Sequence, residues 1–211
     1  MKTRKRDTRW MAAVAMFAAI IVVLANTPLG MIPLVVTKAT TVHIPVILGA
    51  ILLGPTAGGI LGGVFGICSV ISNTMTPALT SFAFSPFLST TGVPGAMKAL
   101  WVSVGCRILI GVVAGWLWKF LRKRNVNSWA SLPLVGFVGS MVNTVLVMGS
   151  IYVLFAQQYA AAKDVAREAV FGLVMTTVAF NGIPEALAAA VLVAAIGKAL
   201  LRVTRTQLQT A

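Results

Sequence analysis

The chain has 211 residues, 58% of them hydrophobic and 10% charged, with a net charge of +13 and a mean hydropathy of +0.94. That leaves too little polar surface to cover a water-soluble globule, while several apolar runs are long enough to span a bilayer, so the composition points to an integral membrane protein. Two cysteines, Cys68 and Cys106, both inside apolar runs, are too few for a disulfide framework or a four-ligand metal site.

The first predicted helix runs from Trp10 to Asn26. KTRKR precedes it as in a secretory signal, but its apolar stretch is longer than an h-region and it heads a series of similar spans, so it reads as a retained helix. The next stretch, His43 to Asn73, holds no Lys, Arg, Asp or Glu and is too long for one crossing. Gly54-Pro55 divides it into a short second helix, Ile44 to Leu53 with a start as early as Thr41, and a third, Thr56 to Ser72. A fourth is expected over Ala96 to Leu121, a fifth from Leu132 to about Ala156 and a sixth over Ile183 to Leu201. In QQYAAAKDVAREAV, Lys163, Asp164, Arg167 and Glu168 share a helical stripe opposite Val165, Ala169 and Val170, which predicts an amphipathic helix on the membrane surface. A seventh crossing through AVFGLVMTTVAF is the competing count, but that run is short and Asn181-Gly182-Ile183-Pro184 interrupts it.

Basic residues test the six-helix count. Lys2, Arg4, Lys5, Arg6 and Arg9 precede the first helix, Lys119, Arg122, Lys123 and Arg124 follow the fourth, and Lys198, Arg202 and Arg205 end the chain. Six crossings put all three clusters on one side, which the positive-inside rule makes the cytoplasm, so both termini are expected there. The outer connections carry only Lys38, Lys98, Lys163 and Arg167, the last two beside Asp164 and Glu168. The net charge is therefore a topology signal with anionic lipid as its natural partner, and nucleic acid is not an expected one.

Gly54, Gly58, Gly62 and Gly66 recur every four residues on the third helix, with Gly59 and Gly63 beside them, making one side a groove of bare backbone. Gly111 and Gly115 repeat the device on the fourth helix, and Ala15 and Ala19 form a small-xxx-small pair on the first. The alanines suit packing within the chain and docking of a partner subunit equally.

A charge near the bilayer centre costs on the order of 3 kcal/mol and marks a functional candidate. Arg107 lies about 13 Å along the fourth helix from Lys98, on a stripe with Ser103, Gly111 and Gly115 that should face the bundle. Asn143 occupies the middle of the fifth helix with Ser140 one turn away, and Asn181 and Glu185 sit one turn apart at the outer start of the sixth, where Asn181 suits a cap. These groups can converge in an outward-facing polar pocket. An internal ion pair between Arg107 and Glu185 is the structural alternative. The long connection TMTPALTSFAFSPFLSTTGVPGA, with Phe82, Phe84 and Phe87, suits an ordered loop folding over a ligand. His43 is expected near the outer surface as a satisfied interfacial residue.

No GxSxG, HExxH or GxxxxGK[ST] motif occurs, so no enzyme, metal site or resident cofactor is expected, and energy for active transport would have to come from elsewhere. The pattern resembles the substrate-binding S components of energy-coupling factor (ECF) vitamin transporters. The resemblance covers nearly the whole chain, 1–211 as one transmembrane domain. It rests on Ala15-xxx-Ala19, on TTVHIPVILGAILLGPTAGGILGGVFGICSVI, on the long loop before the fourth helix and on AFNGIPEAL. It implies an all-α bundle of six transmembrane helices in the bacterial cytoplasmic membrane. The implied partners are a transmembrane coupling protein (EcfT) and two ATPase subunits (EcfA and EcfA'), with Ala15 and Ala19 contacting the coupling protein. Asn181 matches a family position that contributes to the vitamin site, whereas Pro184-Glu185 departs from the commoner Lys-containing version.

Arg107 suits a carboxylate, and Asn143, Asn181 and Ser140 suit amides and hydroxyls. Phe82, Phe84 and Glu185 complete the candidate set. Pantothenate, with one carboxylate, one amide and two hydroxyls, fits best. Folate, biotin, pyridoxine and riboflavin stay open as ligands, as does a membrane assembly protein with no ligand.

Overall fold

The computed structural model describes residues 8–27, 30–33, 38–89 and 91–209. Lys2, Arg4, Lys5 and Arg6 of the first basic cluster lie outside them. Among the described residues, eight α-helices carry the fold: α1 (Thr8–Ala25), α2 (His43–Leu53), α3 (Pro55–Met75), α4 (Gly92–Leu100), α5 (Cys106–Lys123), α6 (Ser128–Lys163), α7 (Val170–Thr177) and α8 (Ile183–Gln209). A short antiparallel ribbon, Met31–Pro33 against Lys38–Thr40, precedes α2. A π turn at Trp101–Gly105 joins α4 to α5, and another at Val178–Gly182 joins α7 to α8. Each pair is thus one long rod, and the rods Gly92–Lys123 and Arg167–Val203, with α1, α3 and α6, are long and apolar enough to cross a membrane.

The sixth passage is α2, whose 11 residues rise about 16 Å against a hydrocarbon core of about 30 Å. It survives because it does not face lipid: His43 to Ile51 are all buried, and α1, α3, α5, α6 and α8 surround it.

The glycine stripes do what their spacing predicts. A Cβ on Gly58 would lie 2.4 Å from the Gly111 carbonyl oxygen, and one on Gly62 would lie 2.2 Å from that of Arg107. Next along, Gly66 faces the backbone at Ser103 and Val104, and Gly115 faces Pro55. α3 and α5 therefore touch backbone to backbone over about three turns, which fixes where Arg107 enters the bundle. Gly54, at φ 96°, makes the turn between α2 and α3 that a side chain would resist.

Four expectations need correction. Residues 157–170 do not form a surface helix: QQYAAAK extends α6 beyond a non-helical Phe155, and Asp164 then adopts a left-handed conformation that starts a hairpin into the last crossing. The stripe of Lys163, Asp164, Arg167 and Glu168 is thus split between two elements. The sixth crossing begins near Arg167 instead of Ile183, and AVFGLVMTTVAF is its outer half, not a seventh crossing. Asn181-Gly182-Ile183-Pro184 does not interrupt it, because the amide of Ile183 bonds to the Val178 carbonyl in π geometry and Pro184 has no amide to place. Asn181 accordingly lies inside a helix and caps nothing. Finally, His43 is fully buried, not interfacial.

The described residues of the three basic clusters, Arg9, Lys119 to Arg124 and Lys198 to Arg205, gather at one end, whereas Lys38, Lys98, Lys163 and Arg167 do not. Trp10 donates to the Leu53 carbonyl, Arg122 donates to the Ser128 hydroxyl, and Lys198 stands over the Trp129 ring. The ribbon and the connection between α3 and α4 lie at the other end.

Candidate functional site

At that second end a cavity of about 310 Å³ opens among α3, α5, α6, the π turn before α8 and the 76–91 connection. Arg107 is its cationic element and is 7% exposed. The π turn aims it: the Cys106 amide bonds to the Trp101 carbonyl, so the Val102 carbonyl loses its α-helical donor and receives Nη1 of Arg107 at 2.9 Å. The guanidinium carbon lies 5.2 Å from the Phe65 ring centroid and 5.4 Å from that of Phe84, a cation between two aromatic faces. Its Nε has no hydrogen-bond partner.

The expected alternative, an Arg107 to Glu185 ion pair, is not formed. Glu185 instead accepts from the Thr40 backbone nitrogen at 2.8 Å and from the Thr40 hydroxyl at 2.5 Å, with Nδ1 of His43 at 3.8 Å. That carboxylate is committed to the ribbon. Arg107 thus keeps a buried charge with no carboxylate in hydrogen-bonded contact among the described residues, which is costly unless a ligand supplies one.

Asn143 lines the same cavity, and its Oδ1 has no partner. Asn181, Glu185 and Phe84 line it too. Ser140 does not: it is fully buried one turn away, its hydroxyl oxygen unpartnered. Phe82 turns from the cavity to meet Phe155 edge-on at 5.8 Å, and Phe87 is 78% exposed.

Phe84 reaches Arg107 because the 76–91 connection is tied down. The Ser81 hydroxyl donates to Oδ1 of Asn73 and accepts from the Ala78 amide. Thr74 spends its proton on the Val70 carbonyl, so Ser85 donates to the Thr74 hydroxyl at 2.7 Å. Of this connection, Thr80 and Phe84 line the cavity.

Sequence reasoning missed Thr40, Phe65, Ser69, Asn73 and Thr144, all of which line the cavity. Ser69 and Asn73 were findable, being four apart in the polar outer end of α3, which also carries Ser72 and Thr74. Phe65 and Thr40 carry no local signal that separates them from packing residues.

The family model described as "ECF transporter, substrate-specific component" matches residues 9–197. The chain is 33% identical over 203 residues to a protein of Lactococcus lactis subsp. cremoris named "Pantothenic acid transporter PanT", covering 94% of this chain and 97% of that one. It is 30% identical over 203 residues to "Pantothenate transporter PanT" of Leuconostoc mesenteroides, covering 92% and 93%. With a family match over nearly its whole length, a helical membrane bundle and an amphipathic cavity at one end, this chain belongs to the substrate-specific components of ECF transporters.

Proposed function

We propose that the chain captures pantothenate from outside the cell, with Arg107 holding the vitamin's carboxylate and Asn143 and Asn181 meeting its amide and hydroxyls. The observation that carries this reading is the unpaired guanidinium of Arg107 between Phe65 and Phe84, beside the unpartnered Oδ1 of Asn143. The names of the two bacterial relatives support the choice among acids. Thr40 and Glu185 then hold the ribbon over the occupied site.

The end bearing Arg122 and Lys198 is the cytoplasmic one by the positive-inside rule, which opens the cavity outward and places both termini inside a bacterial cytoplasmic membrane. Transport is completed by EcfT and the ATPases EcfA and EcfA', docking through α1. There Val14, Phe17 and Ile21 turn inward while Ala15 and Ala19 are exposed, a smooth face for close helix approach.

The test pairs an acid with its alcohol. Arg107→Gln should weaken pantothenate by about 10- to 150-fold, the worth of a charge-assisted hydrogen bond, and its neutral alcohol analogue far less. Calorimetry on wild type and variant decides it. Equal losses for the two ligands would remove Arg107 from a carboxylate site, and absence of any vitamin-dependent rise in melting temperature would favour an assembly protein without ligand.

A further inference from the structure

A second and larger cavity, about 720 Å³, is a half-open groove between the start of α6 and the end of α8, far from Arg107. Its walls are apolar and low, with Ala190, Ala194 and Ala195 on α8 facing Leu132 and Pro133 on α6. Its mouth is basic. Lys198 reaches across from α8 with its ammonium 3.1 Å from the Trp129 ring centroid, and Arg202 stands one turn beyond. The α6 N-terminus at Asn127 and Ser128 shares that rim and adds the positive end of a helix dipole. Among the described residues, no carboxylate lines the groove.

We infer that this groove binds one anionic phospholipid of the cytoplasmic leaflet, its phosphate between Lys198 and Arg202 and an acyl chain along Ala194 and Ala190. Three observations select a lipid. The length fits one leaflet: Ala190 to Arg202 spans about 18 Å of helix, against about 15 Å for half the hydrocarbon core. The polarity fits an amphiphile, because all the charge is at the mouth and the far wall is alanine and valine. The sign fits an anion, since basic pockets between transmembrane helices on the cytoplasmic side hold acidic headgroups. A soluble anion would leave the apolar wall unfilled, and a crossing helix would need a groove of twice the length. The inference rests on the cytoplasmic placement of this end and is independent of what the outer cavity holds.

The test is native mass spectrometry of the full-length chain, delipidated in detergent and titrated with dioleoyl phosphatidylglycerol or dioleoyl phosphatidylcholine. One phosphatidylglycerol should be retained in preference to phosphatidylcholine. Lys198→Gln and Arg202→Gln should each weaken it about fivefold, the value of one basic residue at a membrane surface. Ala194→Phe should abolish the adduct by filling the wall while leaving both cations. Lys119→Gln, which removes a cation outside the groove at the same end, should change nothing. A cooperative thermal unfolding transition at the wild-type temperature, measured without added ligand, certifies that each variant is folded. Equal retention of the two lipids, or an equal loss in Lys119→Gln, would reduce the effect to diffuse attraction and overturn the inference. So would Ala194→Phe retaining the adduct, or Lys198→Gln keeping its lipid while losing co-purification with the transporter's other subunits, which would make the groove a protein seat.

Discussion

Glu185 and Thr40, 145 positions apart, are joined by two hydrogen bonds to the same carboxylate oxygen, from the Thr40 amide at 2.8 Å and its hydroxyl at 2.5 Å. This ties the ribbon before α2 to the middle of the last crossing, at the edge of the outer cavity. Thr40→Val removes the hydroxyl and keeps the amide. A hydrogen bond to a charged acceptor contributes about 1.5–3 kcal/mol, so ligand release should quicken on the order of tenfold or more, measured by stopped-flow displacement. An unchanged rate would show that the ribbon does not confine the ligand.

Phe84 and Phe82 are neighbours in sequence with different work. Phe84 covers one face of Arg107, so Phe84→Ala should lower affinity for an acidic ligand by about 2- to 30-fold, the range of a desolvated cation–π contact. Phe82 packs on Phe155, so Phe82→Ala should chiefly lower the melting temperature. Titration calorimetry and thermal unfolding on both variants separate the two roles.

The α3–α5 contact should tolerate no added carbon. Gly62→Ala would place a Cβ 2.2 Å from the Arg107 carbonyl oxygen, and backbone cannot yield as a side-chain tip does. A loss of about 1–3 kcal/mol is expected from overpacking, together with weaker ligand binding as Arg107 moves. Gly149→Ala is the control, having nothing within 4 Å of the added carbon, and should be neutral or slightly stabilising.

Ala15 and Ala19 face outward from α1. Replacing both with Trp should leave folding and vitamin affinity intact while abolishing ATP-dependent uptake in reconstituted vesicles, because bulk prevents close helix approach. Loss of vitamin binding in this variant would place the alanines in the protein's own packing.

The glycine periods and the depth of Arg107 were legible because both are properties of one helix: a repeat of four lays residues on one face, and a lone Arg in an apolar run has few places to point. The last crossing was not. Asn181-Gly182-Ile183-Pro184 has the composition of a helix boundary, yet a π turn carries the rod through it, and no residue type marks a π turn as Pro marks a first turn. The stripe through Lys163 to Glu168 failed for a related reason: periodicity assumes one continuous helix, and the left-handed Asp164 breaks it. The partner of Glu185 was hidden too, since Thr40 lies in a short ribbon whose pairing depends on contacts across the bundle.

The two π turns, Trp101–Gly105 and Val178–Gly182, sit on rods that pass on either side of the outer cavity. Each holds one residue more than an α-helix would use for the same hydrogen-bonded turn. Chain length at these two places is therefore as much a determinant of the site as the side chains are. Deleting a single residue from Trp101–Gly105 would let the rod close as plain α-helix and turn everything on one side of the deletion by about 100° relative to the other. The glycine contact holds α5 in place against α3, so the covering end from Gly92 to Leu100 would swing around instead. The Val102 carbonyl that steadies Arg107 would return to its helical donor. A relative shorter by one residue at either turn should thus present a differently shaped mouth to its ligand even where every lining side chain is the same.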